Sequence, residues 1–533
     1  MNKILSWLGV SAWVFCMSAC APLMPSRTDR PDVAYDPSGP CSATPENDAD
    51  ADPGGVVSNA ACAHRMREDA KTYQLYFTEF DDEGWAYPSG APYGGASEQM
   101  GFFISQLQDR IRKTDEKLSV VVFVHGWKHT ADNDDNNVQR FRTLLSSLND
   151  VERQTGCERH VIGLYVAWRG AATTLGDPLE SASFYSRKNA AERVAEGDVR
   201  VVFSHLRALQ DEANAPWIAK AQASLQGTKA VAAGAVSSAT ANATAPAPPS
   251  PCEKRVRLSI AGHSFGGLIV YTSLAQSLIR DVVELRDAEL LAAETNGPRP
   301  VIPREGDLVV VVNPAIEATR YEPLFRAVGE TDLPHYHSPL FVSITSTNDL
   351  ATKVAFPLGR KLSTLFEHYP VSGARDVEER ANQRTLGQDD DFLNFQLTAV
   401  PYPASASAAA PAPPGTCAGW NLALPDFGKR LAIEWEASMA FLQRLDAQRF
   451  DGRGLFPRYF CGGELLRLET RQGVGSAIEN SPVWNIRTQS PIVNDHNDFS
   501  NPLLIAFFRQ LYREAELRPF QLMIQETPGT APR

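Results

Sequence analysis

Apolar residues in this chain gather into short runs separated by longer stretches of mixed character. Residues 73–80 (Tyr-Gln-Leu-Tyr-Phe-Thr-Glu-Phe) alternate as a strand does. Residues 119–124 (Ser-Val-Val-Val-Phe-Val) and 161–168 are almost wholly apolar, as strands covered on both faces are. Similar runs recur at 256–261, 307–312, 340–345 and 483–487. Between them the spacing of apolar positions changes to three and four, which predicts helices over 100–112, 186–212, 433–450 and 503–517 and onward from Gly267. Another helix begins near Val138, with the polar cluster 132–137 supplying its cap. Buried strands alternating with helices make an α/β fold: a mainly parallel central sheet with helices on both faces. Ligands of such sheets sit beyond the carboxyl ends of the strands.

Three tracts interrupt the pattern. Residues 20–65 are rich in Pro, Asp, Ala and Ser and read as a flexible spacer. Residues 226–251 and 401–416 are Ala/Pro/Ser-rich and read as insertions in one domain spanning 66–533. The larger stretch 370–480, or alternatively 171–225, is a candidate cover for a site. The acidic run 48–52 lacks the glycine and glutamate of a calcium loop.

Charge narrows the partners. The chain of 533 residues carries a net charge of −12 with no basic run, which argues against nucleic acid. The N-terminus reads as a leader. Lys3 precedes an apolar stretch, 4–15, that is short for a membrane span. Met17-Ser-Ala-Cys20 resembles a bacterial lipobox, which implies cleavage after residue 19 and a lipid on Cys20; a plain secretory signal is the alternative. Ala21 in place of Asp implies the outer membrane. Six cysteines then remain for an exported body, enough for three disulfides. The favoured pairs are Cys41–Cys62, Cys157–Cys252 and Cys417–Cys461. Both members of the middle pair directly precede predicted parallel strands, which places them at the same edge of the sheet. The absence of CxxC leaves zinc or redox chemistry without support.

The densest chemical signal is Gly262-His263-Ser264-Phe265-Gly266, at a switch from strand to helix. G-x-S-x-G in that setting is a nucleophile elbow. The turn forces the serine out of the sheet, and its flanks must be small because strand and helix nearly touch.

With Phe123-Val-His-Gly-Trp127 upstream, and 345–349 (Thr-Ser-Thr-Asn-Asp) and 494–498 (Asn-Asp-His-Asn-Asp) downstream, the chain resembles an α/β-hydrolase of the esterase/lipase type. The likeness extends over about 73–517, outside the insertions. It implies the order serine, acid, histidine. Of ten histidines, His368 and His496 follow the acid-bearing strand, and His496 occupies the loop before the last helix where the family keeps its base. Asp349 is the preferred acid, with Glu317, after the preceding strand, as the alternative. The oxyanion donors are expected to be the backbone N–H groups of Phe265 and Trp127. His125 and Gly126 would shape the loop carrying Trp127, whose side chain would line a substrate pocket. The expected activity is ester hydrolysis through an acyl-enzyme, without metal or organic cofactor, by a body tethered to the bacterial envelope.

Overall fold

The computed structural model describes residues 24–31, 44–45, 56–57, 63–87, 97–171, 183–232, 249–329, 333, 337–364, 367, 375–400, 458–461, 465–470 and 481–516. The expected leader, Cys20, Cys41, Cys62, His368, Cys417 and the expected helix 433–450 lie outside these residues.

Among the described residues, eleven strands form one sheet. They are β1 (Arg67–Asp69), β2 (Tyr73–Phe80), β3 (Leu118–Val124), β4 (His160–Trp168), β5 (Val256–His263), β6 (Leu308–Val312), β7 (Phe341–Ser346), β8 (Phe395–Val400), β9 (Arg458–Cys461), β10 (Leu465–Thr470) and β11 (Val483–Thr488). Their order across the sheet is β9-β10-β8-β11-β7-β6-β5-β3-β4-β2-β1. From β8 to β2 every pairing is parallel. β1, β10 and β9 extend the two edges through antiparallel pairings.

Helices cover both faces. α1 (Glu98–Lys113), α3 (Phe184–Glu196), α4 (Val199–Ala232), α5 (Phe265–Thr295) and α6 (Ala318–Gly329) pack on one. α2 (Asn136–Thr155) and α9 (Pro502–Glu516) pack on the other. Two short helices, α7 (Phe356–Ser363) and α8 (Arg375–Gln383), follow β7. The pleat of β3 explains its unbroken apolar sequence: Val120, Val122 and Val124 enter the first layer, and Val121 and Phe123 the second. Burying each such side chain stabilises the fold by roughly 1.5–3 kcal/mol. Gly163 of β4 lets α2 come close, since a Cβ there would lie 2.4 Å from Leu145.

Cys157 and Cys252 form a disulfide across the amino-terminal edge of β4 and β5, as their positions before those strands predict. The expected helix over 186–212 is two helices, broken at Gly197, because Gly84 backs directly onto the break. A Cβ on Gly197 would sit 2.2 Å from Gly84 O, and Asp198 N–H donates to that oxygen at 2.8 Å. Most of 171–225 therefore packs as a helical layer, with Ala190, Ala191, Val194 and Val202 fully buried. Within 370–480, residues 395–400, 458–461 and 465–470 are strands of the sheet edge. No helix among the described residues is long and apolar enough to cross a membrane.

Candidate functional site

β5 ends at His263, α5 begins at Phe265, and Ser264 alone makes the turn. Its φ of 55° and ψ of −120° lie where an L-residue stays only under constraint. Two hydrogen bonds supply it: Ser264 N–H donates to Val312 O (3.1 Å), and Ala315 N–H donates to Ser264 O (3.2 Å). The flanking glycines are required by contact. A Cβ on Gly262 would lie 2.6 Å from Gly266 O, and one on Gly266 would lie 2.0 Å from Val124 O. Gly126 runs across the turn so closely that its Cβ would lie 2.9 Å from that of Ser264.

Ser264, His496 and Asp349, more than 80 residues apart in sequence, meet in one line. Ser264 Oγ lies 2.8 Å from His496 Nε2, and His496 Nδ1 lies 2.9 Å from Asp349 Oδ2. A carboxylate only accepts, so Nδ1 carries the proton and Nε2 is left to accept from the serine hydroxyl. Asp349 is fully buried. Its Oδ1 accepts from the N–H groups of Ala351 (2.9 Å) and Thr352 (3.2 Å), and its Oδ2 also accepts from Thr352 Oγ1 (2.6 Å). It thereby starts a single π-helical turn, Ala351–Ala355, that runs into α7.

Glu317, the alternative acid, stands apart from this line. Its carboxylate pairs with Lys188 (2.7 Å), Arg320 (3.0 Å) and Arg360 (3.3 Å).

The loop carrying His496 is fixed by its backbone. His263 Nε2–H donates to His496 O at 2.7 Å. Asn313 Nδ2–H donates to Asp495 O (3.1 Å) and His496 O (2.9 Å), while its Oδ1 accepts from Ser346 N–H (2.9 Å). One side chain thus ties the end of β7 to the histidine loop. Asn313 has φ of 44°, a conformation asparagine tolerates better than most residues. Sequence reasoning passed over it; the signal was a polar residue directly ending the run 308–312. Asp498 braces the same loop, accepting from Asn494 and Asn501.

The backbone N–H groups of Trp127 and Phe265 take no hydrogen-bond partner among the described residues. Phe265 is the first residue of α5, so its N–H is one of the donors a helix leaves open. His125 holds the preceding turn. Its Nδ1–H donates to Gly126 O (2.8 Å), its Nε2 accepts from Trp168 N–H (3.1 Å), and Trp168 Nε1–H donates to His125 O (2.9 Å). Burial pushes its pKa down to about 4, so the ring is neutral and acts as a clamp. Burial likewise holds His263 well below the usual histidine range.

The Trp127 ring meets Phe184 edge-on at 5.2 Å, and Phe184 lies 5.0 Å from Phe265. Phe184, at the start of α3, carried no signal in the sequence. The polar cluster 132–137 is a cap: Asp135 accepts from Asn137 N–H (2.8 Å) and Thr130 N–H (3.1 Å) and pairs with His129. An apolar cavity of about 120 Å³ lies between the sheet, α2 and α9, lined by His263 and Phe499 but not by Ser264.

No family model, curated protein or solved structure matches this chain. Its functional reading rests on its own geometry.

Proposed function

We propose that this protein is a serine hydrolase of the α/β-hydrolase type, cleaving carboxylic esters through an acyl-enzyme. The observation that carries the reading is the unbroken line from Ser264 Oγ through His496 to the buried Asp349. Support also comes from the strained turn at Ser264, at the carboxyl end of a central parallel strand.

A serine hydroxyl is a weak nucleophile until a base takes its proton. His496 Nε2 takes it as Oγ attacks the ester carbonyl carbon. Asp349 holds Nδ1 protonated and stabilises the imidazolium that forms. The carbonyl oxygen becomes an oxyanion, and the N–H groups of Phe265 and Trp127, which take no partner among the described residues, are its proposed donors. Each such donor is typically worth about 10²–10³ in rate. Collapse of the intermediate expels the alcohol, which takes the proton from His496 and leaves an acyl group on Ser264. Water then repeats the sequence and releases the acid. The aromatic cluster of Trp127, Phe184 and Phe265 offers an apolar wall for one side of the ester.

A fluorophosphonate probe tests this directly. Wild type should label and Ser264→Ala should not. A folded wild type that resists labelling would overturn the reading.

A further inference from the structure

The residue after Asp349 begins an unusual surface. Leu350, Val354 and Leu358 are 69%, 48% and 61% exposed. They recur every four residues along the π-helical turn and α7. A π turn is wider than an α turn, so four-residue spacing stays close to one line there. The other side of the segment is seated. Thr352 and Phe356 are buried, and the Tyr185 hydroxyl packs where a Cβ on Gly359 would be. The segment is therefore held against the protein while its aliphatic row faces water.

Its charge also differs from that of the whole. Residues 350–363 contain Lys353, Arg360 and Lys361 and no Asp or Glu, in a chain of net charge −12. Arg360 turns toward Glu317 and Asn382. Lys353 and Lys361 are exposed beside the row. α8 brings Asp376 and Glu379, and also Arg380, to the groove on that side, and Arg384 joins them just past its end.

Exposed aliphatic residues scattered singly are ordinary. A row of three flanked by lysines, starting one residue from a buried carboxylate of the site, has the layout of a helix lying in a lipid–water interface. We propose that residues 350–361 dock the protein on an anionic lipid surface, and that its substrates are esters held in that surface. The substrate half rests on the hydrolase reading; the docking half stands without it.

The docking half is tested on the full chain carrying Ser264→Ala and Leu358→Cys, with a bimane fluorophore on the new thiol. Phosphatidylglycerol vesicles should shift the emission to the blue, and spin labels on the acyl chains should quench it. An unchanged spectrum would overturn docking. So would a concentration-dependent dimer, seen by light scattering, that Val354→Gln/Leu358→Gln abolishes, because the row would then belong to a second copy. The substrate half is tested with that double variant and an intact serine. It should hydrolyse a water-soluble acetate ester at the wild-type rate and a vesicle-borne ester at least about tenfold more slowly. Wild-type rates on both esters, or equal losses on both, would overturn the substrate assignment. If wild type hydrolyses neither ester while the bimane still enters lipid, the hydrolase reading fails and the docking surface stands.

Discussion

Two buried carboxylates follow neighbouring strands of this sheet, and they are held in opposite ways. Glu317, after β6, is surrounded by Lys188, Arg320 and Arg360. Burial alone would raise its pKa, but the three cations hold it below the usual carboxylate range. Asp349, after β7, is held by two backbone N–H groups, a threonine hydroxyl and the ring of His496. A charge already answered by three cations has little left to offer another group. A charge held by neutral dipoles can respond when its imidazole partner becomes positive. Under the proposed hydrolase function, that contrast assigns Glu317 to the architecture and Asp349 to the chemistry.

The contrast can be broken by exchanging losses. Asp349→Asn presents an amide to His496 Nδ1, which favours the wrong ring tautomer. It should lower kcat by about 10⁴ with a comparatively small change in melting temperature. A mild loss would mean that another group orients His496. Glu317→Gln should do the reverse, because it leaves three cations without their buried anion. The expected destabilisation is about 3–5 kcal/mol, read from chemical denaturation, with kcat of the folded fraction nearly unchanged. The pH dependence gives that variant a second signature. Glu317 has a lowered pKa in the folded state, so its contribution is present above the usual value of 4.5 and is lost as pH falls through the folded value. Below pH 4.5 the stability of Glu317→Gln should decline less steeply than that of wild type. The smallest effect belongs to Thr352→Val, which removes one of the donors to Asp349. It should lower kcat by about tenfold, equivalent to the loss of one hydrogen bond to a charged group. A loss as deep as that of Asp349→Asn would show that the hydroxyl does more than hold the acid.

Much of this site is legible in the sequence, for a reason particular to its parts. Ser264 sits where two glycines are compulsory, so its surroundings are written as residue types. His496 and Asp349 each follow a run that reads as a strand, at 483–487 and 340–345. The disulfide Cys157–Cys252 was readable because both cysteines precede such strands. What escaped was written in contacts alone. Glu317 stays open as the alternative to Asp349 until Lys188, on a distant helix, is seen beside it. Asn313 and Thr352 work through bonds to backbone and carboxylate that leave no periodic trace. The break at Gly197 is invisible because apolar spacing continues across it. The edge strands β8, β9 and β10 are short and separated in the chain, too little pattern to mark a sheet.

The bond between Cys157 and Cys252 spans 95 positions, and β4, α3 and α4 all lie inside that span. So does the Ala/Pro/Ser-rich tract at 226–251, whose first residues, 226–232, belong to α4. A protease that cuts within the tract produces two polypeptides but not two molecules. The fragments stay joined through sulfur, and β4 stays laced between β3 and β2. While that bond is intact, a chain cut there would keep the piece carrying Trp127 covalently joined to the piece carrying Ser264, Asp349 and His496.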